Sequence, residues 1–153
     1  MNLRNYLKNL VKRGFLKKEE IGIDQIRALL SGASKNILSA QKNLEIDEET
    51  CYTMAYNSMI KVARALLFLQ GLRPDDGQQH KTTVDVAGKI LGAEFKNLIN
   101  QFDNMRKKRN VFTYDPLAPL SYEETKNATE TAKSFYNKVQ KFLEKTNPQK
   151  KLF

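Results

Sequence analysis

At 153 residues the chain has room for one domain with one hydrophobic core. Apolar residues make up 41%, well above the disordered range, and a net charge of +9 points to a polyanion as ligand, either nucleic acid or anionic membrane. A single cysteine, Cys51, excludes an internal disulfide, and with one histidine no metal centre or other cofactor is expected.

The first segment, "MNLRNYLKNLVKRGFLKK", places Leu3, Tyr6, Leu7, Leu10 and Val11 at helical spacing and carries six Lys or Arg and no acid. The pattern predicts a short amphipathic helix ending near Gly14, packed on the body or a partner rather than on a membrane. It lacks the apolar core of a signal peptide, and no run approaches the ~20 apolar residues of a membrane span, so the expected location is the cytoplasm. Ile26, Leu29, Leu30, Ala33, Ile37, Ala40 and Leu44 then form one stripe of a second helix, with Asp24 as its expected cap. Asp47 is the expected cap of the third. That helix is the most apolar, with Tyr52, Ala55, Tyr56, Met59, Ala63, Leu66 and Leu67 facing inward until Gly71 and Pro74 end it. Asn57, Lys61 and Arg64 share a different face, which is either a solvent edge or part of a binding surface.

"RPDDGQQH" reads as a loop of turn formers containing His80. A short helix follows from Lys81, broken near Gly92. The next carries Phe95, Leu98, Ile99, Phe102 and Met105 on its apolar stripe. After the loop "DPLAPL", Ser121 and Glu124 form a capping box for a last helix with Ala128, Ala132, Phe135, Tyr136, Val139, Phe142 and Leu143 inward. The tail "KTNPQKKLF" is expected to fray. No segment alternates with period two. The chain therefore reads as all-α: an antiparallel up-and-down bundle of four main helices plus a short N-terminal one.

No phosphate-binding glycine loop, dinucleotide fingerprint or zinc-protease motif is present. The remaining chemistry lies in "MRKKRNVFTYDP", residues 105–116. If the helix reaches Tyr114, then Arg106, Asn110 and Tyr114 share one side, with Arg109 and Thr113 in a neighbouring row; if it ends near Asn110, Tyr114 folds back toward Arg109. Arg offers a planar fork of donors for phosphate, Asn a group for a ribose hydroxyl or base edge, and Tyr a ring or hydroxyl. Lys107 and Lys108 read instead as cations favoured by a helix C-terminal dipole.

"AYNSMIKVARALLFLQGLRPDDGQQH", "LINQFDNMRKKRNVFTYDP" and "SYEETKNATETAKSFYNKVQKFL", taken in that order, resemble a HEPN domain (higher eukaryotes and prokaryotes nucleotide-binding) over roughly residues 22–145. On this division, residues 1–20 are a basic N-terminal helix and 146–153 a basic tail. The resemblance implies a helical bundle that commonly dimerises, with the Arg motifs of two subunits facing a shared cleft. It implies binding of RNA or a nucleotide, and often a link to toxin–antitoxin or phage-defence systems or to a partner nucleotidyltransferase. Many members are metal-independent ribonucleases whose motif is Arg followed at a short interval by His.

Here Tyr114 stands where that His is expected from Arg109. A free Tyr titrates near ~10, which handicaps it as a base at neutral pH. Three readings follow. One is a binding module for RNA or a nucleotide using Arg106, Arg109, Asn110, Tyr114, Asn57 and Arg64, with Tyr114 also conceivable as a hydroxyl that a partner modifies. A second is an active endoribonuclease toxin, with Arg109 and Tyr114 catalytic. The third is a scaffold that binds a protein partner such as an antitoxin. His80 either caps a loop or helix, or approaches the site from another helix or subunit.

Overall fold

The computed structural model describes all 153 residues. Helix α1 spans Leu3–Lys12, capped by the Asn2 side chain, and presents Leu7 to the core. A short strand, β1, follows at Leu16–Lys18. The long helices α2 (Ile23–Asn43) and α3 (Glu48–Leu69) form an antiparallel pair. Strand β2 (Leu72–Pro74), helix α4 (Gln79–Leu91) and a single 3₁₀ turn at Ala93–Phe95 lead into α5 (Lys96–Tyr114). Helix α6 (Tyr122–Thr146) closes the bundle. The all-α class is as the periodicities imply, with four long helices and the short α1 and α4.

Several local expectations need correction. The cap of α2 is Gly22, and Asp24 lies inside the first turn, where its charge still complements the helix dipole. β1 and β2 pair antiparallel, with Leu16 opposite Pro74 and Lys18 opposite Leu72. Three-residue strands are too short for a two-residue period to register. The C-terminal tail does not fray. Leu152 is buried, Phe153 packs edge-on to Tyr136, and the Lys151 carbonyl accepts from Arg27 Nε. Burial of Leu152 and the ring contact of Phe153 gain more than the short segment loses in freedom.

Other signals act where the sequence puts them. Asp47 caps α3 by accepting from the Glu49 and Thr50 amides, and Ser121 and Glu124 form a reciprocal capping box on α6. Helix α3 is the central element because almost every side is apolar. Its Ala55, Ala63 and Ala65 are fully buried and let neighbouring helices approach closely. An aromatic chain runs from Tyr56 to Phe102 to Phe135, with ring centroids 5.9 and 5.5 Å apart, and joins α3, α5 and α6. Gly88 of α4 faces Ile99 of α5 so closely that a Cβ there would stand 3.1 Å from Ile99 Cγ2. That approach packs the end of α4 against the start of α5.

Candidate phosphate-binding cleft

Helix α5 runs unbroken to Tyr114, so "RKKR" lies inside the helix and not in its last turn. The dipole account of Lys107 and Lys108 therefore fails, and acids explain them instead. Lys107 Nζ lies 3.3 Å from Asp103 Oδ2, and Lys108 Nζ 3.1 Å from Glu124 Oε2 on α6. Arg106 Nε donates to Asp103 Oδ1 at 2.9 Å. Burial pushes the Asp103 carboxyl up, but the bonds from Arg106 and Lys107 outweigh it and hold it low.

Arg109 is the exception among the four. It has no acidic partner, and its Nε is buried without any hydrogen-bond acceptor. Its guanidinium carbon lies 5.7 Å from the Tyr56 ring centroid, a cation–π distance. A buried, unpaired guanidinium donor is costly, and such groups in native structures call for an explanation.

His80 meets this pair from α4. It lies in the first turn of that helix, not in a loop, because Asp76 sets the turn. The Asp76 carboxylate accepts from the Gln78 amide at 3.2 Å and from the Thr82 hydroxyl. Tyr56, fully buried, places its hydroxyl 2.9 Å from His80 Nδ1. Burial raises the Tyr56 pKa well above its ordinary value, against the opposing pull of Arg109 and Arg106, so the phenol keeps its proton. Burial also lowers the His80 pKa, aided by Arg109, Arg64 and Arg106, so the imidazole is neutral at pH 7. The only acceptor the phenol reaches is Nδ1. The hydroxyl therefore donates to Nδ1, and the ring proton resides on Nε2. A neutral His80 thus offers the cleft a donor.

His80, Lys81, Arg106, Arg109 and Asn110 line one cleft of about 560 Å³ that has no apolar residue in its wall. Asp76, its one acid, already accepts from the Gln78 amide and the Thr82 hydroxyl. Three cations, a neutral imidazole N–H and an amide converge there. This set suits a phosphate with an adjacent hydroxyl.

The structure brings together some of the residues singled out from sequence and separates others. Arg106, Arg109, Asn110 and His80 share the cleft. Arg64 is exposed and lines a neighbouring cleft that His80 also borders. Asn57 is half-buried and lines neither, and Lys61 crosses Gly32 of α2. Tyr114 continues the Arg106–Asn110 row by one turn but stands outside the cleft, 85% exposed. Tyr56 reads in the sequence only as core. Its one distinguishing signal is the need of a buried phenol for a partner.

Comparison with known proteins agrees with this frame. A model of the HEPN domain matches residues 26–143, most of the chain. No curated protein matches it.

Proposed function

The chain belongs to the HEPN domain family, whose members are nucleotide- and RNA-binding or ribonuclease-like, and from this and the cleft we propose that it binds the phosphate of single-stranded RNA or of a nucleotide. The observation that carries the reading is Arg109, a half-buried guanidinium whose Nε has no acceptor and which lacks any acid beside it, while every other cation of its run has one. Arg109 makes the principal contact. Arg106 and Lys81 add charge, His80 Nε2 donates to a phosphate or ribose oxygen, and Asn110 orients the sugar. Helix α5 beyond the cleft exposes Val111 and Tyr114, and a second subunit or a nucleotidyltransferase partner would meet that surface.

Metal-independent cleavage is the second reading, and one observation favours it. An imidazole stands beside a phosphate-binding guanidinium, which supplies a titratable group that Tyr114 does not. Its orientation argues against the role. With Nδ1 taken by the phenol and Nε2 protonated, His80 has no free lone pair to accept the 2′-hydroxyl proton. Its lowered pKa also leaves little imidazolium to protonate the leaving oxygen. Binding without cleavage is the conclusion.

The test is fluorescence anisotropy with a labelled single-stranded RNA at two salt concentrations, followed by incubation of the same mixtures in EDTA. Binding that weakens steeply with salt, drops in Arg109→Ala and leaves the RNA intact is the expected result. Cutting in EDTA that disappears in His80→Ala would establish the nuclease instead. Absence of both binding and cutting would remove the assignment.

A further inference from the structure

A second cleft, of about 400 Å³, opens on the far side of His80 and shares Gln79 and His80 with the first. Its chemistry differs. Ile21, Ile60 and Phe68 give it apolar walls. Its acid, Glu19, lies 3.0 Å from Arg73 Nε and offsets that guanidinium, while Arg64 is left without an acid. Apolar walls beside a carboxylate suit a neutral, flat ring with polar edges. The volume is in the range of small-ligand sites.

Arg64 adds the feature that selects a ring. Its guanidinium carbon lies 5.5 Å from the Phe68 ring centroid, so the ring holds a cationic plane at the mouth of the cleft. Bases stack on aromatic and guanidinium planes alike. The amides of Gln25 and Gln79, both exposed, supply donors and acceptors for a base edge. Gln79 and His80 thus separate a cationic, wholly polar cleft from an amphipathic one with a carboxylate in its wall.

We propose that this second cleft receives a nucleobase of the same ligand whose phosphate meets Arg109, so that the two clefts together bind one nucleotide unit across His80. The inference rests on the phosphate-binding reading and extends it to the base. It makes the ligand single-stranded, because a base inside a duplex cannot leave its stack to enter the cleft.

The experiment uses two labelled single strands of about ten nucleotides, within the usual site sizes for such binders, one intact and one of equal length built from abasic ribose. Wild type should bind the intact strand roughly tenfold more tightly, as expected for base stacking. Arg64→Lys keeps the charge but loses the plane, and Gln79→Ala loses an amide. Each should move the ratio between strands toward one. Arg109→Ala should weaken both strands by the same factor and leave the ratio intact. Displacement of the intact strand by adenosine or uridine monophosphate would assign the site to free nucleotides, and failure of both to displace it would assign it to a base within RNA. Equal binding of intact and abasic strands by wild type, with Arg109→Ala still weakening both, would overturn the base cleft while sparing the phosphate site. A ratio that Arg64→Lys and Gln79→Ala leave unchanged would overturn it as well. If wild type binds neither strand, both assignments fall.

Discussion

Between Arg4 and Lys18 lie six cations, all exposed and none in an ion pair, whereas the four from Arg106 to Arg109 are mostly drawn into the protein and three of them are paired. By the number of unpaired cations alone the N-terminal segment is the stronger anion-binding candidate. By geometry it is not, because Arg4, Lys8, Lys12 and Lys18 rim a groove lined by Leu3, Leu7, Val11 and Leu72 with every cation still in water. Arg106 and Arg109 face residues of α4 across a cleft, and Arg109 is backed by the Tyr56 ring. A cation in water is already solvated and gains little from one more anion. A guanidinium held partly out of water, with an unpaired donor, gains much more. Partial burial and an unmet hydrogen bond, rather than net charge, distinguish a site from a solvated surface.

The largest effect should come from the scaffold that creates this difference. Phe102 is fully buried between Tyr56 and Phe135. Phe102→Ala should cost about 3–5 kcal/mol of stability, read by urea denaturation. Because Phe102 holds Tyr56 against α5, the variant's RNA binding should fall even where it remains folded. A loss under about 1 kcal/mol would mean that the aromatic chain does not set the position of the cleft.

The direct comparison comes next in size. Arg109→Ala should reduce RNA affinity roughly ten- to a hundredfold, the scale of a lost charge-assisted hydrogen-bond pair. Lys8→Ala, in the exposed segment, should change it by no more than about twofold at physiological salt. If the two variants lose affinity equally, binding is spread over the basic surface and the cleft has no privileged role.

The sequence carried most of the scaffold because long helices repeat their signal. Stripes such as Ile26–Leu30–Ala33–Ile37–Ala40 are buried as their spacing requires, and the caps at Asp47 and Ser121 work locally. It carried the site less fully. Arg106, Arg109 and Asn110 lie on one helix, where spacing predicts neighbours. Tyr56 and His80 reach Arg109 from two other helices, and no pattern within one element reports a contact across three. Tyr114 illustrates the same limit from the opposite side. Its place in the motif row is as the helix spacing predicts, yet its exposure depends on how α5 ends relative to its neighbours. The β1–β2 pair and the returning C-terminus were hidden for a related reason, since each is a short contact between segments distant in sequence.

Tyr56→Phe sharpens the comparison by keeping the ring under Arg109 while removing the hydroxyl. Stability should fall by about 1 kcal/mol, the usual net value of a hydrogen bond. The freed Nδ1 changes His80 more than it changes the fold. The phenol no longer fixes the ring proton on Nε2, so the imidazole can present a lone pair to the cleft. Binding should weaken a few-fold, and any latent RNA cleavage in EDTA should increase rather than decrease. A variant that binds as tightly as wild type would show that the His80 tautomer is irrelevant to the ligand.

The smallest effect is the most specific, because stability and affinity should move in opposite directions with pH. The folded protein holds the His80 pKa below its ordinary value, through burial and through Arg109, Arg64 and Arg106. Below about pH 6.5 the unfolded chain therefore takes up a proton more readily than the folded one, and stability is lost as pH falls through the lowered folded value. A bound phosphate reverses the balance. Its negative charge beside Nε2 favours the imidazolium, so the complex takes up the proton more readily than the free protein does, and affinity rises over the same interval. The RNA backbone itself does not titrate there. Melting temperature and anisotropy, each measured from about pH 7.5 to 5.5, should show a modest loss of the first and a gain of about threefold in the second, with His80→Gln flattening both. An affinity gain that survives His80→Gln would assign the proton to another group. A surface of permanently charged Lys and Arg would give no such gain, which is what separates the cleft from the exposed segment at the other end of the chain.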